Sequence, residues 1–482
     1  MGPDRLTLAF LADLLPIGPI SANFGVISRS FADPALPRAL LRLPATAPTL
    51  EQLFERIDLN ERLPKIFEAV ASPTVDGEYP HWDDLRRRTP PEGLTVEEWW
   101  FGIKYARANL ARAFPLQDLA GKPFDYCLTD ETLSILHWID QHGAGEILVS
   151  EEVPEPADRS RYLVSSLIEE AITSSQLEGA TSTRRVAKEM LRSGRAPRDR
   201  SERMILNNYR AMTKISGFAS QPLTPALVYE LHRILTEHTL DDPTSAGRPQ
   251  QSGELRVSVF DPEGLRVHTP PPAEQLPGRM EAMCRFANGE SDQGFVHPVV
   301  RAILLHLWLA YDHPFEDGNG RTARAIFYWS MLHSGYWMFE YVSISRILHA
   351  APARYARSFL YTETDERDAT YFLIHELSVM RRAIDELLEY LRRKIREVHQ
   401  TVGLLRQSTL NHRQVALLTH ALRHSDAEYT VRSHSTSHRV TPQSARTDLL
   451  DLERRGMLAR RQVGKRFVFS PVADLAARVA NS

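Results

Sequence analysis

Cysteine is scarce in this chain: Cys127 and Cys284 are the only two in 482 residues, far apart and without metal-type spacing. A zinc site built on cysteine is excluded, and the reading left is two thiols in a reducing compartment. Long apolar runs are missing too. No stretch approaches the roughly 18 uninterrupted apolar residues a membrane span needs. The first apolar segment, 6–20, is broken by Asp13 and Pro16 and preceded by Asp4, a poor secretory signal. A cytoplasmic protein without a membrane partner is expected. Charge of one sign is also lacking, with a net of −3. Any electrostatic function must therefore be local.

What remains is ordinary for a globular chain of two to four domains, with 43% apolar and 25% charged residues. Residues 1–50 are proline-rich and have no sustained period, so no element is assigned there. Helical patterns begin at 53 and run to 112. Thr95 and Glu98 make a capping box ahead of Trp99, Trp100 and Ile103. Trp82 beside Arg86, Arg87 and Arg88 reads as a core aromatic next to a solvated charged face. A second helical region spans about 158–397, with amphipathic stretches near 160–178, 200–216, 224–238, 296–311, 321–335 and 370–397. Strand signals are few there, mainly 255–259 and 265–269 around Pro262-Glu263-Gly264, one short hairpin on a helical body.

The sequence from His313 to Arg324, His-Pro-Phe-Glu-Asp-Gly-Asn-Gly-Arg-Thr-Ala-Arg, lies between two apolar-periodic segments. It should be a loop handing over to a helix N-terminus. Gly318 and Gly320 let backbone approach an anion, and the first amides of the helix point outward with no intrahelical partner. Arg321 and Arg324, three apart, share a helical face and can clamp one polyphosphate. Asn319 can add amide hydrogen bonds. Asp317 is a hard oxygen donor that suits Mg²⁺. His313 titrates near neutrality and can take a proton from an attacking hydroxyl. Phe315 would anchor the loop to the core. A plain helix–loop–helix turn needs none of this combination.

This loop resembles, at every defined position, the signature of Fic-domain proteins, His-x-Phe-x-Asp/Glu-Gly-Asn-Gly-Arg-x-x-Arg. The resemblance implies an all-α domain that transfers AMP from ATP, with Mg²⁺, onto a hydroxyl of a target protein and onto itself. His313 would be the base and Asp317 the metal ligand. Gly318, Asn319, Gly320 and Arg321 would form the phosphate nest, and Arg324 would hold the γ-phosphate. The hairpin at 255–269 sits where the family has a flap that binds the target as an added strand. Tyr355 lies at about the distance of the family's adenine pocket. A homodimer is what analogy with the family suggests. Phosphate or phosphocholine transfer also occurs on this scaffold, but phosphoryl-transferring members depart from the Gly-Asn-Gly-Arg core that is intact here.

A second motif precedes the loop. Gly179 should stop the helical stretch at 160–179 and leave Glu178 at its C-terminal end, where a carboxylate faces the negative end of the macrodipole and favours a cationic partner. Ser174-x-x-x-Glu178-Gly179 resembles the inhibitory motif of Fic proteins, whose glutamate pairs with the second arginine of the signature. The runs 192–198 and 201–209 resemble the same class, that with an N-terminal inhibitory helix. Arg324 cannot serve both Glu178 and a γ-phosphate, so autoinhibition follows. In a reverse, AMP-removing reaction the resemblance implies that Glu178 positions water.

The last 75 residues differ in kind. A helix is expected at 411–422. A second is capped by Thr441, with Pro442 in its first turn and Gly456 beyond its end. Two short strands, 457–461 and 462–469, should flank Gly464-Lys465. Together they suggest a winged helix-turn-helix. Between 432 and 466, nine Lys or Arg face three Asp or Glu. DNA contact and protein contact both remain open for this module.

The chain is thus expected to be mainly α. A mainly helical N-terminal region would span 1–150, a Fic domain 151–400, and a winged helix 405–482. The competing reading is a DNA-binding regulator whose Fic domain only senses nucleotide.

Overall fold

The computed structural model describes residues 43–144, 156–254, 256, 259–260, 266–291, 294–407, 409–424, 427–463 and 466–480. These residues are 61% helical with few short strands, the mainly α class that the sequence predicts. They form two compact units, one within Met1–Gly145 and Ser166–Ile384, the other within Glu146–Ser165 and Asp385–Ser482.

The first unit opens with α1 (Leu50–Arg56), α2 (Leu59–Ala69), α3 (Trp82–Leu85) and α4 (Val96–Ala108). The Thr95 hydroxyl accepts the Glu98 amide, and the Glu98 carboxylate returns to the Thr95 amide, so both orphan donors are satisfied as expected. Trp82 packs into the cluster around Trp100, while Arg86 and Arg87 pair with Asp83 and Arg88 with Glu78. The core-aromatic reading of Trp82 holds.

A hairpin, β1 (Arg112–Gln117) with β2 (Pro123–Tyr126), interrupts the region that the sequence pattern renders as helical. Phe114, Leu116, Phe124 and Tyr126 are all buried, so period-2 burial decides these short segments. The first unit breaks at Gly145 and resumes at Ser166. Lys104 and Arg107 of α4 are buried against Asp365 and Tyr371, 2.8 Å from each, which joins the N-terminal helices to the later ones.

Next come α5 (Asp130–Gly143), α6 (Pro156–Gln176), α7 (Arg184–Ser193), α8 (Arg200–Phe218) and α9 (Pro225–Thr236). The expected hairpin is present but short: β3 (Val259–Phe260) pairs antiparallel with β4 (Arg266–His268). Leu255, 257–258 and 261–265 lie outside the described residues.

Then follow α10 (Leu276–Ala287), α11 (Pro298–Asp312), α12 (Asn319–His333), α13 (Ile344–Ala350), α14 (Pro352–Thr364) and α15 (Thr370–Gln407). Residues 299–312 of α11, apart from the half-buried Arg301, and 319–331 of α12 are buried. Helices covered on all sides belong at the centre of a bundle, and this pair is where the signature loop hangs.

The second unit contains α16 (His412–Arg423), α17 (Val431–His438), α18 (Pro442–Arg454), β5 (Leu458–Val463), β6 (Arg466–Pro471) and α19 (Leu475–Ala480). Three helices are followed by an antiparallel strand pair. Two details differ from expectation. Gln462 and Val463 belong to the first strand, and α17 is an added helix, too short and polar to show a period. Gly464 and Lys465 lie outside the described residues.

Candidate functional site

The site is built on the end of α11 and the start of α12. Helix α11 stops at His313, which takes a left-handed conformation (φ 46°, ψ 53°) and closes the helix with its N–H on the Leu309 carbonyl at 3.0 Å. A non-glycine residue there costs on the order of 1–3 kcal/mol and persists only when its surroundings enforce it. They do. Arg256 donates to the carbonyls of Asp312 and His313 at 2.8 and 3.2 Å, satisfying orphan acceptors of the helix end. Asp312 is gripped by Arg279 at 2.6 Å and by the Trp308 indole at 3.0 Å.

The His313 ring is 1% exposed, and its Nδ1 donates to the Ala310 carbonyl at 3.3 Å. That bond leaves Nε2 as the basic nitrogen. Burial, helped by the nearby positive His268 and Arg256, pushes the imidazole down to about 3. The ring is therefore neutral near pH 7, the form that accepts a proton. A triphosphate bound beside it would raise its basicity, because negative charge favours the protonated ring.

The loop is held from inside. Phe315 is fully buried and stacks face to face on His232, centroids 3.7 Å apart. His232 donates from Nε2 to the Asp317 carbonyl at 2.8 Å and accepts the Gly247 amide at Nδ1, 2.9 Å. One donor and one acceptor require a neutral ring, and burial pushes His232 down to about 4. The Asn319 side chain bridges the Phe315 backbone, accepting from its N–H and donating to its carbonyl, both at 2.9 Å. These two bonds fold the loop and leave Asn319 with its backbone N–H and the second N–H of its amide.

Gly318 (φ 83°) caps α12, so the amides of Asn319, Gly320 and Arg321 form a first turn with no intrahelical acceptor. The two arginines have different partners. Arg321 is 1% exposed and donates to the Leu235 carbonyl at 3.0 Å, and its Nε and Nη2 are buried with no hydrogen-bond partner among the described residues. Its nearest carboxylate oxygen, on Asp317, is 3.5 Å away. Asp317 accepts the Gly318 amide at 2.6 Å, and its other oxygen faces Arg200 at 3.2 Å.

Arg324 turns to α6. It donates to the Ser174 hydroxyl and carbonyl, each at 2.9 Å, and to Glu178 Oε1 at 2.8 Å. Helix α6 ends at Gln176, and Gly179 at φ 83° turns the chain so that Glu178 projects from the helix end. The carboxylate that opposes the dipole of its own helix lies on the positive end of another. A Cβ added to Gly320 would stand 2.1 Å from Glu178 Oε1. Glu178 thus lies against the first turn of α12, and only glycine at 320 allows it.

Tyr355 is 2% exposed, with its hydroxyl 2.8 Å from His306 Nε2 and its ring against Phe359 and His375, and it lies beside Arg324.

Sequence reasoning missed His232, Arg200, Arg256 and Arg279. Each reaches the loop from 33 to 117 residues away in the chain, and no local period signals such contacts.

Residues 222–331 match the profile of the Fic/DOC family, so the chain carries a Fic domain. The matched segment holds the whole loop from His313 to Arg324. Among curated proteins, the chain is 34% identical over 117 residues to a protein adenylyltransferase Fic of Nematostella vectensis, covering 24% of this chain and 25% of that protein. It is 33% identical over 134 residues to one of Drosophila grimshawi, covering 27% and 25%. The chain spans about a quarter of the length of these curated relatives. Similar solved structures include a Fic family protein from Desulfovibrio desulfuricans G20, at 18% identity over 72% of this chain and 98% of that one, TM-score 0.48. Fic-1 from C. elegans is similar at 20% identity over 53% and 71%, TM-score 0.43.

Proposed function

We propose that this protein is an adenylyltransferase that moves AMP from ATP to a hydroxyl of a target protein, and to a hydroxyl of its own chain. The observation that carries the reading is Arg321. Its two buried guanidinium nitrogens without hydrogen-bond partners among the described residues, beside the first turn of α12, are donors for polyphosphate oxygens next to a neutral imidazole.

In the proposed reaction the acceptor hydroxyl gives its proton to His313 Nε2 while its oxygen bonds to the α-phosphorus. The bond from that phosphorus to the oxygen leading to the β-phosphate breaks, and pyrophosphate leaves. Arg321 and the amides of Asn319 and Gly320 cradle the phosphates, and Arg324 takes the γ-phosphate. Asp317, a lone hard carboxylate, would hold Mg²⁺, with phosphate and water supplying the other oxygens. That ion would neutralise charge on the departing pyrophosphate. No group of three or more His, Cys, Asp or Glu that could hold a metal occurs among the described residues, in keeping with a metal that arrives on the nucleotide.

Glu178 makes the resting form inhibited. With Oε1 on Arg324 and against Gly320, it takes both the clamp and the space that a triphosphate needs. The same carboxylate, swung aside, could orient water for removal of AMP. The strands at 255–269 would take the target as an added strand through backbone hydrogen bonds. A cytoplasmic location accords with Cys127 and Cys284, both free and buried, whose thiols burial raises to about 12. Among the described residues no helix is long and apolar enough to cross a membrane.

Transfer from ATP labelled at the α-phosphate tests the reading. His313→Ala should abolish labelling of the protein itself, and Glu178→Gly should raise it at least tenfold. Labelling that survives His313→Ala would remove the proposed base. The competing reading, nucleotide sensing without transfer, predicts no label in any variant.

A further inference from the structure

The C-terminal unit carries its own chemistry, independent of nucleotide transfer. Helix α18 turns Ala445, Asp448, Leu449 and Leu452 inward. At 100° per residue, Gln443 and Thr447 lie on the opposite side and Arg446 flanks them, all three exposed. From Thr430 to Thr447 the sequence contains no aspartate or glutamate. The first acid after that stretch, Asp448, is 3% exposed and tied to Arg413 at 2.7 Å and His434 at 3.2 Å.

Several arginines of this unit are neutralised. Arg454 and Arg455 pair with Asp451, Arg460 with Glu453, Arg461 with Glu428 and Arg478 with Asp474. Arg466 on β6 is exposed without a carboxylate partner among the described residues, and so are three arginines around α17 and α18. Arg432, Arg439 and Arg446 are exposed and have no carboxylate partner among the described residues. All three belong to α17, α18 or the turn between them, interleaved with the exposed Thr436 and Ser437. The exposed large apolar side chains of the unit, Val463 and Phe467, sit on the strands instead.

We propose that the α17–α18 surface docks double-stranded DNA, with α18 in the major groove. A helix about 10–12 Å across fits a groove about 12 Å wide. Arg432 and Arg439 meet phosphates, while Gln443 and Arg446, three apart on the outer face of α18, reach base edges. Charge complementarity selects this occupant. A protein partner would call for an apolar centre in the contact face, and this face has unneutralised guanidinium, hydroxyl and amide groups instead.

Fluorescence anisotropy of the full chain with a labelled duplex of random sequence, about 30 base pairs long, read between about 50 and 200 mM salt, tests the proposal. Binding should weaken steeply with salt. Arg432→Ala/Arg439→Asn/Arg446→Ala should lower affinity at least tenfold and flatten the log–log salt slope by about 2, close to one for each of the two phosphates no longer neutralised. Asparagine at 439 tolerates the left-handed backbone there (φ 51°). Arg446→Ala alone, in mid-helix, should still cost at least threefold and guards against misfolding of the triple variant. Self-labelling from ATP should be unchanged in both. No binding by the unaltered chain at about 50 mM salt, or equal affinity and slope for the variants, overturns the proposal.

Discussion

Glu178 Oε1 lies 2.8 Å from Arg324 Nη2 and 2.1 Å from the point a Cβ on Gly320 would occupy. One carboxylate therefore neutralises a buried guanidinium and fills the helix N-terminus beside it. The two neighbours carry different consequences.

The first consequence is for stability. Both side chains are at most 4% exposed, so removing one partner leaves an uncompensated buried charge. Glu178→Ala should lose about 3 kcal/mol in a urea titration without nucleotide. ATP at about 100 times its Kd returns about 2.7 kcal/mol by mass action, and should stabilise the variant more than the parent at equal concentration. Equal stability of the two proteins without ATP would mean that the pair contributes nothing.

The second consequence concerns Gly320. Alanine there collides with Glu178 Oε1, and a carboxylate oxygen at that distance must move. Gly320→Ala should destabilise the parent by about 1–3 kcal/mol, the scale of an overpacked core. In a Glu178→Ala background the loss should shrink to under about 1 kcal/mol, because the colliding atom is gone. Additive losses across that cycle would show that some other neighbour sets the cost.

A third prediction is a pH dependence built on His268. Its Nδ1 is 2.9 Å from Glu363 and its Nε2 donates to the Tyr311 carbonyl at 2.8 Å. Burial alone would lower its pKa, but the Glu363 charge and both hydrogen bonds prevail and raise it. A group whose folded pKa exceeds its unfolded value stabilises fully below the unfolded value and loses that contribution as pH rises through the folded one. Thermal melts should thus show a stability increment that is complete below about pH 6.5 and fades above the raised value. Glu363→Gln should flatten this slope. His81 acts in the opposite sense. Burial holds it down at about 4, and its Nδ1 accepts the Asp83 amide, so acidification from the model-peptide value of about 6.5 toward 4 should cost stability through it.

The helical elements were legible where burial has a period. Most of the amphipathic stretches expected between 160 and 397 became helices within a few residues, as with 224–238 against Pro225–Thr236. Caps were legible because they are local: Thr95 and Thr441 each accept an amide three residues ahead. Hairpin β1–β2 and helix α17 were not, being short segments whose identity depends on what covers them.

The residue types at the loop, and the spacing that puts glycine, arginine and histidine at one helix entrance, were fixed in the chain itself. Local sequence also placed Glu178 at a helix end. Tertiary structure decided what each group touches. It set the Asn319 side chain on the Phe315 backbone, buried Tyr355 beside Arg324, gave the two arginines different partners, and brought His232 and Arg256 onto the loop from distant segments. The reason is range: capping and helical period act over three or four residues, whereas these hydrogen bonds and stacks form only after helices remote in sequence have packed together.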